Sequence, residues 1–76
     1  MDKEPALIFL GKKLRGLREE KGLSQEDLAF QAGLDRTYIG GVERGERNFT
    51  ILSALKISGT LGVSLSQVLK GVEGEQ

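Results

Sequence analysis

Five times along this chain a residue that favours starting a helix is followed, one apolar-periodic stretch later, by a glycine that favours ending it. Pro5 leads to Gly22, Ser24 to Gly33, Asp35 to Gly45, Thr50 to Gly62, and Ser64 to Gly71. Proline suits a first helical turn because its missing N–H has no partner to lose there. Ser, Thr and Asp side chains accept hydrogen bonds from the orphaned N–H groups of a first turn. Glycine adopts the positive φ with which many helices stop. The stretches between are helical in period: Leu7, Leu10, Leu14 and Leu17 in the first, Ile51, Leu52, Leu55 and Ile57 as candidates for burial in the fourth, and Leu65, Val68 and Leu69 inward in the last. No strand pattern or internal repeat interrupts them. The expectation is an all-α fold, a compact bundle of about five helices with short loops. With 76 residues it is a single domain over 1–76, ordered over about 5–71, and the tail from Val72 to Gln76 is expected to fray.

The second and third stretches sit unusually close together. Ser24 caps the second helix, with Asp27 at the capping-box position, and Leu28 and Ala29 face a core. Gly33 turns the chain, Asp35 caps the third helix, and Ile39 and Val42 supply its buried stripe. Two helices joined this tightly, the second polar on its outer face, read as a helix-turn-helix over about 24–44.

Composition removes several chemistries. There is no Cys and no His, so thiolate nucleophiles, imidazole bases and the usual zinc sites are absent, and neither metal nor cofactor is expected. Without a nucleophile–base pair or a phosphate loop, the chain does not read as an enzyme. It has no disulfides, no apolar run near the length of a membrane span, and a polar start, Met1 to Pro5; the expected location is the cytoplasm. The 11 basic and 11 acidic residues cancel, which counts against a nucleic-acid partner unless the charges segregate. They do in sequence: Asp2, Glu4, Glu73 and Glu75 lie near the ends, whereas Arg36, Arg44 and Arg47 cluster around the third helix.

The run from Leu14 to Glu43, with Leu-Arg-Glu-Glu-Lys-Gly-Leu-Ser-Gln-Glu-Asp-Leu-Ala inside it, resembles the phage-repressor (XRE) helix-turn-helix family, whose fold is lambda-repressor-like. The resemblance extends to Leu-Gly-Val-Ser-Leu at Leu61 to Leu65. Gly33-Leu34-Asp35-Arg36-Thr37-Tyr38-Ile39 and Val42-Glu43-Arg44-Gly45-Glu46-Arg47-Asn48 are similar to the controller proteins of restriction–modification systems. That likeness implies a small homodimeric regulator of transcription on paired operator half-sites. Phe49 and Gly59 depart from the family pattern, and Gly59 bears on how the fourth helix packs and so on any dimer contact.

Residue by residue, Arg36 and Thr37 open the helix that enters the major groove and are the candidates for base contact. The resemblance implies that the position of Gly41 faces the bases as well. The pair Gly40-Gly41 weakens a short helix by about 2 kcal/mol in propensity. Either it admits a close-approaching surface, the groove floor or a sugar–phosphate edge, or it is a local defect. Gln25, Tyr38, Arg44, Arg47 and Asn48 are candidates for the DNA backbone; for Tyr38, a ring leaning on its own helix is the equal alternative. The resemblance pairs Arg18 with Glu43 inside the protein. It also implies dimerisation through an apolar patch drawn from Ile51, Leu55, Leu65, Val68 and Val72.

Two functions compete at this level. One is a homodimeric DNA-binding regulator whose partners are double-stranded DNA carrying two-fold repeated half-sites, a second copy of the chain and, at a promoter, RNA polymerase. The other is a protein-interaction module of the same fold, such as an antitoxin or adaptor, favoured by zero net charge and the bare Gly40-Gly41 step. Arg36 separates them, because only the first gives it a task.

Overall fold

The computed structural model describes residues 4–72. They form five helices and no strand: α1 (Pro5–Glu20), α2 (Gln25–Ala32), α3 (Arg36–Glu43), α4 (Ile51–Leu61) and α5 (Leu65–Leu69). Asp2, Glu73, Glu75 and the end of the tail expected to fray lie outside the described residues.

Local chemistry sets the boundaries. Ser24 Oγ accepts from the Asp27 N–H at 2.9 Å while Asp27 Oδ2 accepts from the Ser24 N–H at 3.0 Å. Ser64 and Gln67 repeat this reciprocal cap at the start of α5. Asp35 Oδ1 accepts from Thr37 N–H at 2.8 Å, and Thr50 Oγ1 from Ser53 N–H at 3.1 Å. Each such cap stabilises its helix by about 1 kcal/mol. At Gly33 the backbone enters the left-handed region, φ 70°, and Leu34 N–H returns to the Ala29 carbonyl at 2.8 Å. That turn sends α3 off across α2.

α3 is the hub. It packs against α1 and α2, α2 also meets α4, and α5 lies against α1 and α4. Leu14, Leu28, Ile39, Val42, Ile57 and Leu61 meet in one core, with Tyr38 and Phe49 packed at its margin. At Gly11 no side chain separates α1 from α3. A Cβ on Gly11 would lie 2.6 Å from the Glu43 carbonyl oxygen and would also strike that of Val42. Only glycine permits this backbone approach. Gly11, Leu14 and Arg18 follow helical spacing, so the same contact brings Arg18 to Glu43.

Several apolar expectations are corrected. Ile51, Leu52 and Leu55 are 66%, 63% and 51% exposed, and Leu69 also faces outward. α4 is apolar on more than one side, but its inner side is Ala54, Ile57, Ser58 and Leu61. Ile51, Leu55 and Gly59 recur every four residues along the flank beside it. Gly59 leaves the helix intact and has open space above it. Val68 moves the other way. Expected inward from its period and also in a shared surface patch, it is fully buried where α5 meets α1 and α4, and has no surface to offer a second chain. Leu65 and Val72 are half-buried.

Candidate nucleic-acid interface

α3 has one side committed to the core, through Ile39, Val42 and Glu43. At 3.6 residues per turn, Thr37 and Gly41 both lie roughly 160° from Ile39, on the side facing away from the protein. Arg36, Thr37 and Arg44 are exposed, Thr37 and Arg44 on that side and Arg36 on the flank towards α2. The first of these opens the helix, and among the described residues no carboxylate is paired with it. Gln25, Arg36, Thr37, Gly40 and Arg44 line a concavity of about 200 Å³ between α2 and α3. The starts of the two helices therefore share one surface, with polar donors around a depression.

Arg18 belongs beneath this surface. Its Nε donates to Glu43 Oε2 at 2.6 Å, Nη2 to Glu43 Oε1 at 3.0 Å, and Nη1 to the Leu23 carbonyl at 2.7 Å. The two side chains are only 10% and 3% exposed. The hydrogen bonds to Glu43 raise the Arg18 pKa above its ordinary value, against the opposing effect of burial, so the guanidinium stays charged. Gln25 Nε2 donates to the same Glu43 Oε1 at 3.0 Å. The Gln25 amide is thereby oriented from below, at the positive end of α2, where a phosphate oxygen is favoured.

The loop after α3 is tied back to it. Tyr38 Oη donates to the Asn48 carbonyl at 2.9 Å and accepts from Thr50 N–H at 3.4 Å. Its ring is half-buried and leans on the protein, as one of the two readings of Tyr38 has it, and its hydroxyl, whose proton goes to Asn48, holds the loop to the start of α4. Arg44 Nε donates to Glu46 Oε1 at 2.9 Å across two exposed side chains. Pairs this exposed contribute about 0–1 kcal/mol and yield readily to a phosphate. The Arg47 guanidinium carbon lies 5.6 Å from the centroid of the Tyr38 ring. Sequence spacing did not reveal the Tyr38 latch or Glu46 beside Arg44, because loop partners follow no helical period. Among the described residues there is no cluster of metal-ligating side chains, and no helix is long and apolar enough to cross a membrane.

Comparison with known proteins identifies the family. The helix-turn-helix family model matches residues 14–68. Control protein C.MunI from Mycoplasma sp is 46% identical over 69 residues, covering 90% of this chain and 93% of that protein. The crystal structure of the restriction-modification controller protein C.AhdI from Aeromonas hydrophila superposes with a TM-score of 0.80 at 50% identity, covering 82% of this chain and 94% of that one. The biofilm regulator SinR, solved in complex with DNA, matches at a TM-score of 0.78 and 34% identity over 80% of this chain and 98% of its own. With its helix pair, its outward-facing Arg36 and these matches, the chain belongs to the XRE-type helix-turn-helix family, a family of DNA-binding transcription regulators rather than enzymes.

Proposed function

We propose that the chain acts as a homodimer on paired, two-fold repeated operator half-sites in double-stranded DNA, as a restriction–modification controller that regulates its own promoter. The observation that carries the reading is the exposed start of α3. Arg36 and Thr37 stand there over the concavity with no internal partner for the guanidinium. Arg36 reaches guanine O6 and N7 together, a contact worth roughly 1–3 kcal/mol of discrimination, and Thr37 reaches a base edge or a thymine methyl. Gln25, Tyr38, Arg44 and Asn48 hold phosphates on either side and fix the register.

The second copy docks on the outer side of α4. Ile51, Leu52 and Leu55 expose an apolar face there and open Gly59 continues it; half-buried Leu65 and Val72 are the further residues this reading assigns to the interface. Two-fold pairing places the two α3 helices about 34 Å apart, one turn of duplex. A dimer so placed beside a promoter in the cytoplasm meets RNA polymerase, and occupancy of successive sites then decides between activation and repression.

The test is footprinting on the DNA upstream of the coding region, combined with operator affinity across salt concentration. The expected result is protection of a two-fold repeated site and an affinity that falls steeply as salt rises, because each neutralised phosphate releases counterions. No protected repeat and a salt-independent affinity would overturn it. Arg36→Ala separates this function from a protein-interaction module: it removes the preference for the guanine that Arg36 reads in the first and leaves partner binding untouched in the second.

A further inference from the structure

Gly40 and Gly41 are both buried, covered by the chain's own arginines: a Cβ on Gly41 would strike Arg47 Cγ, and one on Gly40 would lie 3.1 Å from Arg44 Nη1. Tyr38 has a different task in the same helix. Its ring packs at the margin of the core, and its hydroxyl reaches out of α3 to donate to the Asn48 carbonyl at 2.9 Å and accept from the Thr50 N–H at 3.4 Å. Thr50 is the N-cap of α4, the helix that carries the exposed apolar face. One hydroxyl therefore joins the helix of Arg36 and Thr37 to the helix of Ile51, Leu52 and Leu55.

The joint matters because little else fixes the first turn of α4. From Ala54 onward the helix is anchored, with Ala54, Ile57, Ser58 and Leu61 buried and α2 and α5 as its packing neighbours. Ile51 and Leu52 come before that anchor and point outward, so their side chains hold the turn to nothing within the chain. The turn is held instead by its backbone: through the Thr50 cap on the Ser53 N–H, through Phe49 packed just before it at the core margin, and through Tyr38.

We propose that the Tyr38 hydroxyl sets the first turn of α4 relative to α3, and thereby the separation of half-sites that the dimer accepts. The proposal rests on the homodimer reading above and deepens it. In a two-fold dimer each recognition helix stands about 17 Å from the axis, half of the roughly 34 Å between them, so a rotation of ~10° at the α4 contact moves it by about 3 Å, close to one base-pair step. A small change in the first turn of α4 is magnified in this way at the DNA. The hydroxyl proton goes to one acceptor at a time, Asn48 in the free chain or a phosphate oxygen on DNA, but the oxygen accepts from the Thr50 N–H in either case, so the joint persists in the complex. Tyr38 is thus a positioning residue: it acts through α4 on the spacing of half-sites and not on the identity of a base.

In the experiment the full wild-type chain first selects its site from a pool of randomised duplexes. The selected half-sites are then presented at their own spacing and with one base pair added or removed at the centre. Wild type and Tyr38→Phe, which keeps the ring and loses only the hydroxyl, are compared on this set, and dimerisation without DNA is followed by sedimentation. Wild type is expected to bind the altered spacings much more weakly. In Tyr38→Phe that penalty shrinks about threefold to tenfold, the worth of one hydrogen bond, and the dimer dissociates more readily, while base preference within each half-site is kept. An unchanged spacing penalty with unchanged dimer dissociation would overturn the proposal. So would a salt slope of affinity that drops by about one per protomer with the spacing penalty intact, which would make Tyr38 a phosphate contact alone. Should Tyr38→Phe fail to fold, Thr50→Pro removes the N–H donor at a φ of −69° that proline shares, with Thr50→Val as the control for the lost cap; equal spacing penalties in those two would overturn the proposal. A wild-type chain that enriches no sequence would overturn the DNA-binding reading itself, and one that enriches single, unrepeated sites would overturn the dimer; both outcomes are distinct from the failure of Tyr38.

Discussion

Removal of the Arg18 guanidinium is the most demanding test of the internal architecture. In Arg18→Ala, Glu43 loses two charge-assisted hydrogen bonds, at 2.6 and 3.0 Å, and the Leu23 carbonyl loses a third at 2.7 Å. The carboxylate stays where it was, 3% exposed, with only the Gln25 amide beside it. Breaking a buried pair by deleting one partner costs about 3–5 kcal/mol, most of it the stranded charge. A domain of this size has a total stability on the order of 4–11 kcal/mol, so the loss takes a large part of the whole. Urea denaturation followed by far-UV circular dichroism measures it as a fall in midpoint at unchanged slope. The double variant Arg18→Met/Glu43→Leu removes both charges and fills the space with apolar atoms. It is expected to recover most of the loss, because apolar replacement of a buried ion pair is often neutral or better. A deficit below about 1 kcal/mol in Arg18→Ala would refute the reasoning. A double variant as unstable as the sum of Arg18→Ala and Glu43→Ala would do so too, since it would show that the charges do not depend on each other.

Three further expectations follow from particular contacts. Gly11→Ala places a methyl against the carbonyls of Val42 and Glu43, which are backbone and have little room to move; a loss of about 1–3 kcal/mol is expected in thermal or urea melts, despite better helix propensity, and a stabilised variant would contradict the close α1–α3 approach. Leu55→Glu puts a charge in the middle of the exposed apolar face of α4; sedimentation should show a monomer with an unchanged melting profile at low concentration, whereas an intact dimer would move the interface elsewhere. The hydrogen bonds from the Ser24 backbone and side chain hold the Asp27 carboxyl below the usual carboxylate range. A carboxyl held low in the folded state contributes stability above its unfolded pKa and loses it as pH falls through the folded value. The gap in urea midpoint between wild type and Asp27→Asn should therefore be open at neutral pH and close on acidification below that range; a gap independent of pH would assign the effect to something other than charge.

What could be read along the chain is what depends on near neighbours. The caps at Ser24, Asp35, Thr50 and Ser64 and the turn at Gly33 act over two to five residues, so their chemistry is complete in the local sequence. Thr37 was identifiable as outward for the same reason, because its side of α3 follows from the spacing of Ile39 and Val42; Arg36, three residues before Ile39, lies on the flank, and its exposure came from the fold. Tertiary structure decided whatever required knowing which side of an apolar helix meets the core, or which distant side chain fills a gap. α4 carries apolar residues on more than one side, so periodicity alone could not turn Ile51, Leu52 and Leu55 outward. Gly11 looks like any helical glycine until the carbonyls of α3 arrive above it. Gly40 and Gly41 looked like a weakness in α3 until Arg44 and Arg47 lay across them, since the volume around a residue belongs to the fold and not to its position in the chain.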